Sequence, residues 1–345
     1  MINYDNAFKG IDRQYSKEID MTKLNRNINW WINSAKQHKK MALRYSYKRS
    51  QEKCPICDGI KYQKFVTIYD YDYLQCLECG HIYLRDLIDE QDVKKLYGGG
   101  ENKNLQHTVY LNEELYNKRV KQIAEPKVQW ISSKIKKRKG FWIDIGCGTG
   151  EILSAAKNLG YEVMGIDSDE KEVEFANSKG IDVICDYINE SNAHKYLKYL
   201  NKVNVLSFFN ILEHLEKPKT FLKAIINNVS KGAYVAIEVP RHPSISSLSN
   251  LVFNYVTCRH ICPPDHIHIF TEKSMEILIK EAGLNPVSIW TFGQDVYEFL
   301  MASLSSNNIQ ENDFIEYIIK SIPKLQKSVD KVGLSDTMIV LCNVQ

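Results

Sequence analysis

No apolar run in this 345-residue chain is long enough to cross a bilayer, so a membrane-spanning helix is not expected. There is no internal repeat and no low-complexity stretch beyond short lysine-rich runs, which excludes solenoids and arrays. Charge of one sign is also lacking. Lys and Arg number 45 against 42 Asp and Glu, a net +3, which argues against a wholesale nucleic-acid binder. Two phosphate-binding signatures fail. Gly146 and Gly148 begin a G-x-G-x-x-G, but the third position holds Glu151, and no Gly-Lys-Ser/Thr follows as a P-loop needs. No secretory signal is seen at the N-terminus. Nine cysteines, an odd number, cannot all pair, so reduced thiols and a cytoplasmic setting are expected.

What is present is globular in composition, 44% hydrophobic and 25% charged, and long enough for more than one domain. The central signal is Phe141-Trp142-Ile143-Asp144-Ile145-Gly146-Cys147-Gly148-Thr149-Gly150. Apolar residues lead to an acid, glycine then recurs at alternate positions, and a helical pattern follows through Ile152, Leu153, Ala155, Ala156 and Leu159. That is strand, tight turn and helix. The glycines allow sharp turning and close ligand approach, and the helix N-terminus offers free amides to an anion. A second apolar run, Val163 to Ile166, ends in Asp167 about 20 residues on, where doubly wound sheets place an acid against ribose hydroxyls. Further strand signals lie at 181–186, 203–209, 234–239, 285–292 and 336–344. Alternation with helical patterns predicts a mostly parallel sheet covered by helices on both faces.

Upstream, Cys54-Pro-Ile-Cys57 and Cys76-Leu-Glu-Cys79 are C-x2-C pairs separated by 18 residues. The spacing suits a closed, structural four-cysteine zinc site, with Gly59 and Gly80 in the turns and short strands over 65–68 and 73–74. His81 is an alternative ligand. Residues 1–50 are basic, with 11 Lys/Arg against four Asp/Glu. Ile28, Trp31, Ile32 and Ala35 mark one helical face, with Asn25 as a candidate cap. The basic and aromatic residues Trp30, Lys36, Lys39, Lys40, Arg44, Tyr45 and Tyr47 fit a solvated face better than an RNA surface. The run Lys134 to Lys139 reads as a basic helix end.

The string Asp144 to Gly150 resembles the first motif of class I S-adenosylmethionine-dependent methyltransferases. Leu212-Glu213-His214 resembles the "LEH" element of a large bacterial branch, and Asp265-His266-Ile267-His268-Ile269-Phe270-Thr271 its "HLxxFT" element, with His268 where Arg is common. Many members of that branch also carry an N-terminal zinc ribbon and a Tyr-containing linker, here Leu96 to Gly100. The resemblance covers residues 136–345. It implies a Rossmann-like seven-stranded domain over 136–345, preceded by a helical extension (1–50), a zinc-ribbon module (51–95) and a linker and helix (96–135). A proline- and serine-rich connection over 241–270 is expected as a lid.

The resemblance further implies S-adenosylmethionine bound by Asp144, Gly146, Cys147, Gly148, Gly150, Asp167, Ser168, Asp186 and Asn210, and structural zinc on Cys54, Cys57, Cys76 and Cys79. An oxygen acceptor calls for a general base. His266 ranks first and His214 second, with Glu238 and His268 also near expected strand ends; Glu213 is assigned to the cofactor pocket or loop structure. Cys258, His260, Cys262, His266 and His268 together look like a metal cluster, but C-x-H-x-C is not a usual zinc pattern. The expected partner is a small-molecule acceptor, by family analogy a sugar or nucleotide-sugar. RNA and a non-catalytic cofactor-binding scaffold are the alternatives.

Overall fold

The computed structural model describes residues 7–17, 24, 26–45, 47–89, 92–93, 96, 111–135, 139–310 and 312–345. Asn25, residues 97–100 of the linker and 136–138 of the basic run lie outside them, as do the side chains of Tyr47 and Lys48. The strands in chain order are β1 (Asp12–Tyr15), β2 (Tyr47–Ser50), β3 (Tyr62–Ile68), β4 (Tyr71–Cys76), β5 (Ile82–Leu84), β6 (Asp86–Ile88), β7 (Phe141–Ile145), β8 (Glu162–Asp167), β9 (Val183–Cys185), β10 (Val205–Phe209), β11 (Tyr234–Pro240), β12 (His268–Ile269), β13 (Leu284–Phe292) and β14 (Thr337–Val344). The chain forms two compact units. One comprises Met1–Asp89, Val239–Ile277 and Ile289–Met338, the other Glu90–Glu238, Leu278–Ser288 and Ile339–Gln345.

The second unit carries the parallel core. Strands β11, β10, β7, β8 and β9 are neighbours in that order, every pair parallel. Such pairs need a crossover, and helices such as Glu151–Asn158, Glu170–Ser178 and Pro218–Ile226 supply it. The last strand is antiparallel to β11: Val344 N–H donates to the Ala233 carbonyl at one end and Arg241 N–H to Asp336 at the other. The order is β1-β13-β14-β11-β10-β7-β8-β9, so the sheet has eight strands instead of the expected seven. The extra strand comes from the segment expected to be helical. β1 has no alternating apolar face, and Ser16 N–H donates to Thr291 at the edge of β13. Edge pairing through backbone groups leaves little trace in side-chain pattern.

The helix expected within 96–135 starts where Asn112 caps Leu115 N–H, then breaks register. Glu113–Arg119 is followed by a π turn, Val120–Ala124, before Glu125–Lys134. Pro126 has no N–H for the carbonyl four residues back, and the ladder slips to i→i+5 beside it, from Glu125 N–H to Val120.

In the first unit the helix Ile28–Ala42 is capped by Asn27, whose side chain accepts from Trp30 N–H. Trp31 is fully buried, donates from Nε1 to the Val256 carbonyl at 3.1 Å and meets Tyr297 edge-on. Lys36, Lys39, Lys40 and Arg44 are exposed. β3 and β4 form a hairpin across Tyr69 and Asp70, both at positive φ (49° and 67°). A two-residue turn needs that conformation, and Asn-Gly usually supplies it. Here the Tyr69 hydroxyl donates to the Thr257 carbonyl at 2.6 Å, a tertiary anchor that offsets the strain. The proline- and serine-rich segment is ordered: Ser244 and Ser247 form a reciprocal capping box for a helix over Ile245–Val252.

Gly165, in β8, sits where a Cβ would lie 2.4 Å from Cys147 Sγ and 2.9 Å from Leu153 Cδ1. Gly165→Ala is therefore expected to destabilise the chain by about 1–3 kcal/mol in urea unfolding, with Cys147→Ala recovering part of the loss.

Candidate active site and cysteine cluster

The second unit builds the glycine turn as the spacing anticipates. Gly146, Gly148 and Gly150 all adopt positive φ (71°, 52° and 81°). A Cβ on Gly146 would lie 1.9 Å from Ile211 Cδ1, so the loop after β10 approaches the turn too closely for a side chain. Gly150 is the N-cap of the helix Glu151–Asn158 and gives it no side-chain cap, so its first-turn amides are left for an anion. Cys147 is buried against Gly165, and burial pushes its thiol up.

Asp167 ends β8. One carboxylate oxygen accepts from Gly148 N–H at 2.8 Å and the other from Asp169 N–H at 2.9 Å. It thereby ties the turn to the next strand end, with Ser168 half-buried beside it. Asp186, past β9, accepts from the Tyr196 hydroxyl at 2.5 Å, and its N–H donates to the Asp167 carbonyl at 2.9 Å. Asn210, past β10, is exposed at φ 56°. Its N–H bonds the Glu238 carbonyl at 3.0 Å and its side chain the Glu238 carboxylate at 3.4 Å. Asp144 differs from these. Its buried carboxyl accepts from Ser207 Oγ at 2.6 Å between β7 and β10, and Ser207 Oγ in turn accepts from Trp142 Nε1 at 2.8 Å. Burial, with a smaller contribution from Asp167, pushes it up to about 8.

The candidate bases separate by environment. Glu238 is buried in an ion pair with Lys127, whose Nζ lies 2.7 Å from one oxygen and 2.5 Å from the other and 5.3 Å from the centre of the Phe209 ring. Lys127 is missing from the sequence reading, yet it lies in the buried stripe Ala124, Val128 and Ile131, where an unpaired lysine is rare. His268 is fully buried against His81. Only His214, in the second unit, and His266, in the first, are half-exposed. His214 Nε2 lies 4.0 Å from Glu213. His266 donates from Nδ1 to the His260 carbonyl at 2.7 Å, which puts the neutral ring's proton on Nδ1 and its lone pair on Nε2.

The first unit gathers the four cysteines. Their sulfurs all lie within 4.8 Å of one another, with Cys54 to Cys79 at 3.6 Å and Cys57 to Cys76 at 3.5 Å. A tetrahedral site with Zn–S of about 2.3 Å has edges of about 3.8 Å, so the spacing fits a metal; a disulfide needs about 2.05 Å. Each pair is a knuckle. Asp58 N–H donates to Cys54, Gly80 N–H to Cys76, and Glu78 N–H to Cys76 Sγ. His81 stands outside the sulfurs. It bonds His268 through Nε2 and Ser274 through Nδ1, both at 3.2 Å. Of the five residues that resemble a second metal cluster, Cys262 and His266 do come together, but with Asp265; these three donors lie within 4.8 Å. His260 turns instead to Ser244 at 3.5 Å.

The profile of a methyltransferase domain family matches residues 116–289, half of the chain, and the chain belongs to that family. Over 96 residues it is 26% identical to a ubiquinone biosynthesis O-methyltransferase of Shewanella halifaxensis, covering 27% of this chain and 40% of that protein. With the protein of the same name from Bordetella avium, identity is 22% over 165 residues, or 46% of this chain and 68% of the relative. The chain thus spans about 40% of the length of the first curated relatives it matches. A solved SAM-dependent methyltransferase from Archaeoglobus fulgidus aligns with 68% of this chain and 98% of its own at 20% identity, with a TM-score of 0.43. Among the described residues no helix is long and apolar enough to cross a membrane.

Asp144 gives a pH prediction. An unfolded Asp titrates near about 3.9, whereas here the folded group reaches about 8. The folded state binds more protons between those values, so this contribution to stability is complete below the unfolded value and is lost as pH rises through the folded one. In cofactor-free protein, Asp144→Asn should flatten that decline, read as a smaller Tm difference between pH 5 and pH 9 than in the parent.

Proposed function

We propose that the chain is an S-adenosylmethionine-dependent methyltransferase acting on an oxygen of a small-molecule acceptor. The observation that carries this reading is the glycine turn locked to Asp167, in a chain that belongs to a methyltransferase-domain family. The O-methyltransferase names of the curated relatives support an oxygen acceptor. A sugar or nucleotide-sugar is the narrower class proposed. Nine free thiols suit a reducing, cytoplasmic setting.

When bound, S-adenosylmethionine supplies a methyl group already activated on a sulfonium. The residues of the chain orient, exclude water and move a proton. The turn from Gly146 to Gly150 lets a carboxylate reach the first-turn amides of the helix Glu151–Asn158, Asp167 and Ser168 receive ribose hydroxyls, and Asp186 and Asn210 flank the remainder; Asp144 supports the turn from beneath with Cys147. Cys54, Cys57, Cys76 and Cys79 hold one structural zinc. His266 is the proposed general base, taking the acceptor's proton on Nε2 while Nδ1 stays bonded to His260. His214 is its alternative. Glu238 and His268 are engaged elsewhere, which supports that ranking.

Calorimetry should show S-adenosylmethionine or its demethylated product binding, with Asp167→Ala weakening it by roughly 10- to 150-fold, the worth of a charged hydrogen bond. Tight NAD binding without affinity for the methyl donor would sink the assignment. Nucleotide sugars and total RNA offered with methyl-labelled cofactor identify the acceptor, and label in RNA would favour a nucleic-acid substrate.

His266→Ala should lower turnover by roughly 10²–10⁴ while cofactor affinity stays nearly constant. The pH–rate profile should lose its acidic limb. Abolished turnover in His214→Ala with normal turnover in His266→Ala would reverse the two roles.

A further inference from the structure

The four-cysteine ribbon and the segment carrying His266 share one sheet. In the order β12-β5-β4-β3, β12 is an edge strand of the ribbon, antiparallel to β5, with His268 opposite Tyr83 and Ile269 opposite Ile82. Further bonds connect the two. The Tyr73 hydroxyl, buried in β4, donates to the His266 carbonyl at 2.7 Å. Leu84 N–H donates to the Ile267 carbonyl at 2.9 Å. His81 joins both His268 and Ser274. Thr271 Oγ1 donates to the carbonyl of Cys79, itself in the sulfur cluster, at 2.8 Å. Lys273 reaches the neighbouring Glu78 carbonyl.

Other anchors of this segment lie at its far end. Phe270 N–H donates to Pro240, and His242 N–H to Phe270. His266 itself is tied locally to Cys262 and His260. Between these anchors, residues 266–269 are bonded to the ribbon at His266, Ile267, His268 and Ile269. The ribbon is small, and its second knuckle, Cys76 to Cys79, carries the Cys79 carbonyl and leads directly into His81. Small four-cysteine modules draw folding free energy from their metal.

We propose that the ribbon is the positioning element of the acid–base histidine: with metal on its four cysteines it sets the backbone of His266 through Tyr73, β5 and Thr271, so that metal occupancy governs turnover and leaves cofactor affinity unchanged. Tyr73 and Thr271 are positioning residues. The inference rests on the reading of His266 as the base.

The test uses the full chain with its zinc removed by a thiol-reactive mercurial, zinc measured by elemental analysis, and zinc then restored. Hydrogen exchange should rise at Leu84 and across 267–269 on removal, stay constant across 141–186, and recover with zinc. The calorimetric affinity for S-adenosylmethionine should change less than about twofold, while turnover follows zinc content. Should the stripped chain unfold throughout, Tyr73→Phe carries the test. It should retain its zinc and lose about tenfold in kcat, the worth of one hydrogen bond, with the cofactor KM unchanged. In a His266→Ala background the same change should cost nothing further, which a merely structural role would not produce. Unchanged exchange at 267–269 after zinc loss, or equal kcat losses from Tyr73→Phe in both backgrounds, would overturn the proposal. Exchange is read without turnover, so failure of the methyltransferase reading is distinguishable from failure of this one.

Discussion

Pairing of two residues, His268 and Ile269, with the edge of β5 is the constraint on which the first unit's construction depends. The ribbon's three strands would otherwise present an open edge with unmet backbone groups, a state proteins cover or blunt. Covering it with a segment more than 180 residues later in the chain closes the edge and gives that segment a defined path. The sulfur cluster, the His81–His268 contact and the placement of His266 all lie along this seam. A four-cysteine module appended for stability alone would need no such continuity with the segment that carries His266 and His268.

The interior of the same unit is unusually polar. Arg259 lies 2.7 Å from Glu298 and 2.8 Å from Asp336, and both carboxylates are buried. Burial pushes Glu298 up to about 7 despite Arg259. Burial also opposes ionisation of Asp336, but Arg259 holds it at about 2. Asp295 is pushed up by burial and by Asp336, and its carboxyl accepts from Ser246 N–H, Asp336 N–H and Gln326. Buried charges of this kind are weak sources of stability, but losing one partner leaves the rest uncompensated. They tie the helices Ile245–Val252 and Asp295–Ser306 to Asp336, at the start of β14.

In the second unit, hydrogen bonds add to close packing in holding the glycine turn. Gly146 N–H donates to the Ile166 carbonyl at 2.7 Å and Gly148 N–H to Asp167, so the turn is fixed by the strand that supplies the acid. The Lys127–Glu238 pair adds a link from the preceding helix to the end of β11, and Asn210 bonds the same carboxylate. Three elements that meet at the strand ends are therefore coupled through one buried acid.

By itself the sequence determined the features that a few consecutive residues encode. These are the glycine turn with its flanking strand and helix, the acid ending β8, the two cysteine knuckles and the buried face of the helix carrying Trp31. Each depends on local backbone geometry or on period, and both are written within about 20 residues. Tertiary structure alone decided the rest. β1 joined the sheet through backbone pairing, Tyr69 and Asp70 turned left-handed because a distant carbonyl held the tyrosine, and His268 was buried against His81. Glu238 became half of an ion pair with a lysine 111 residues away. In each case the partner is remote in the chain, and the energy of the contact exists only once the fold has brought the two together.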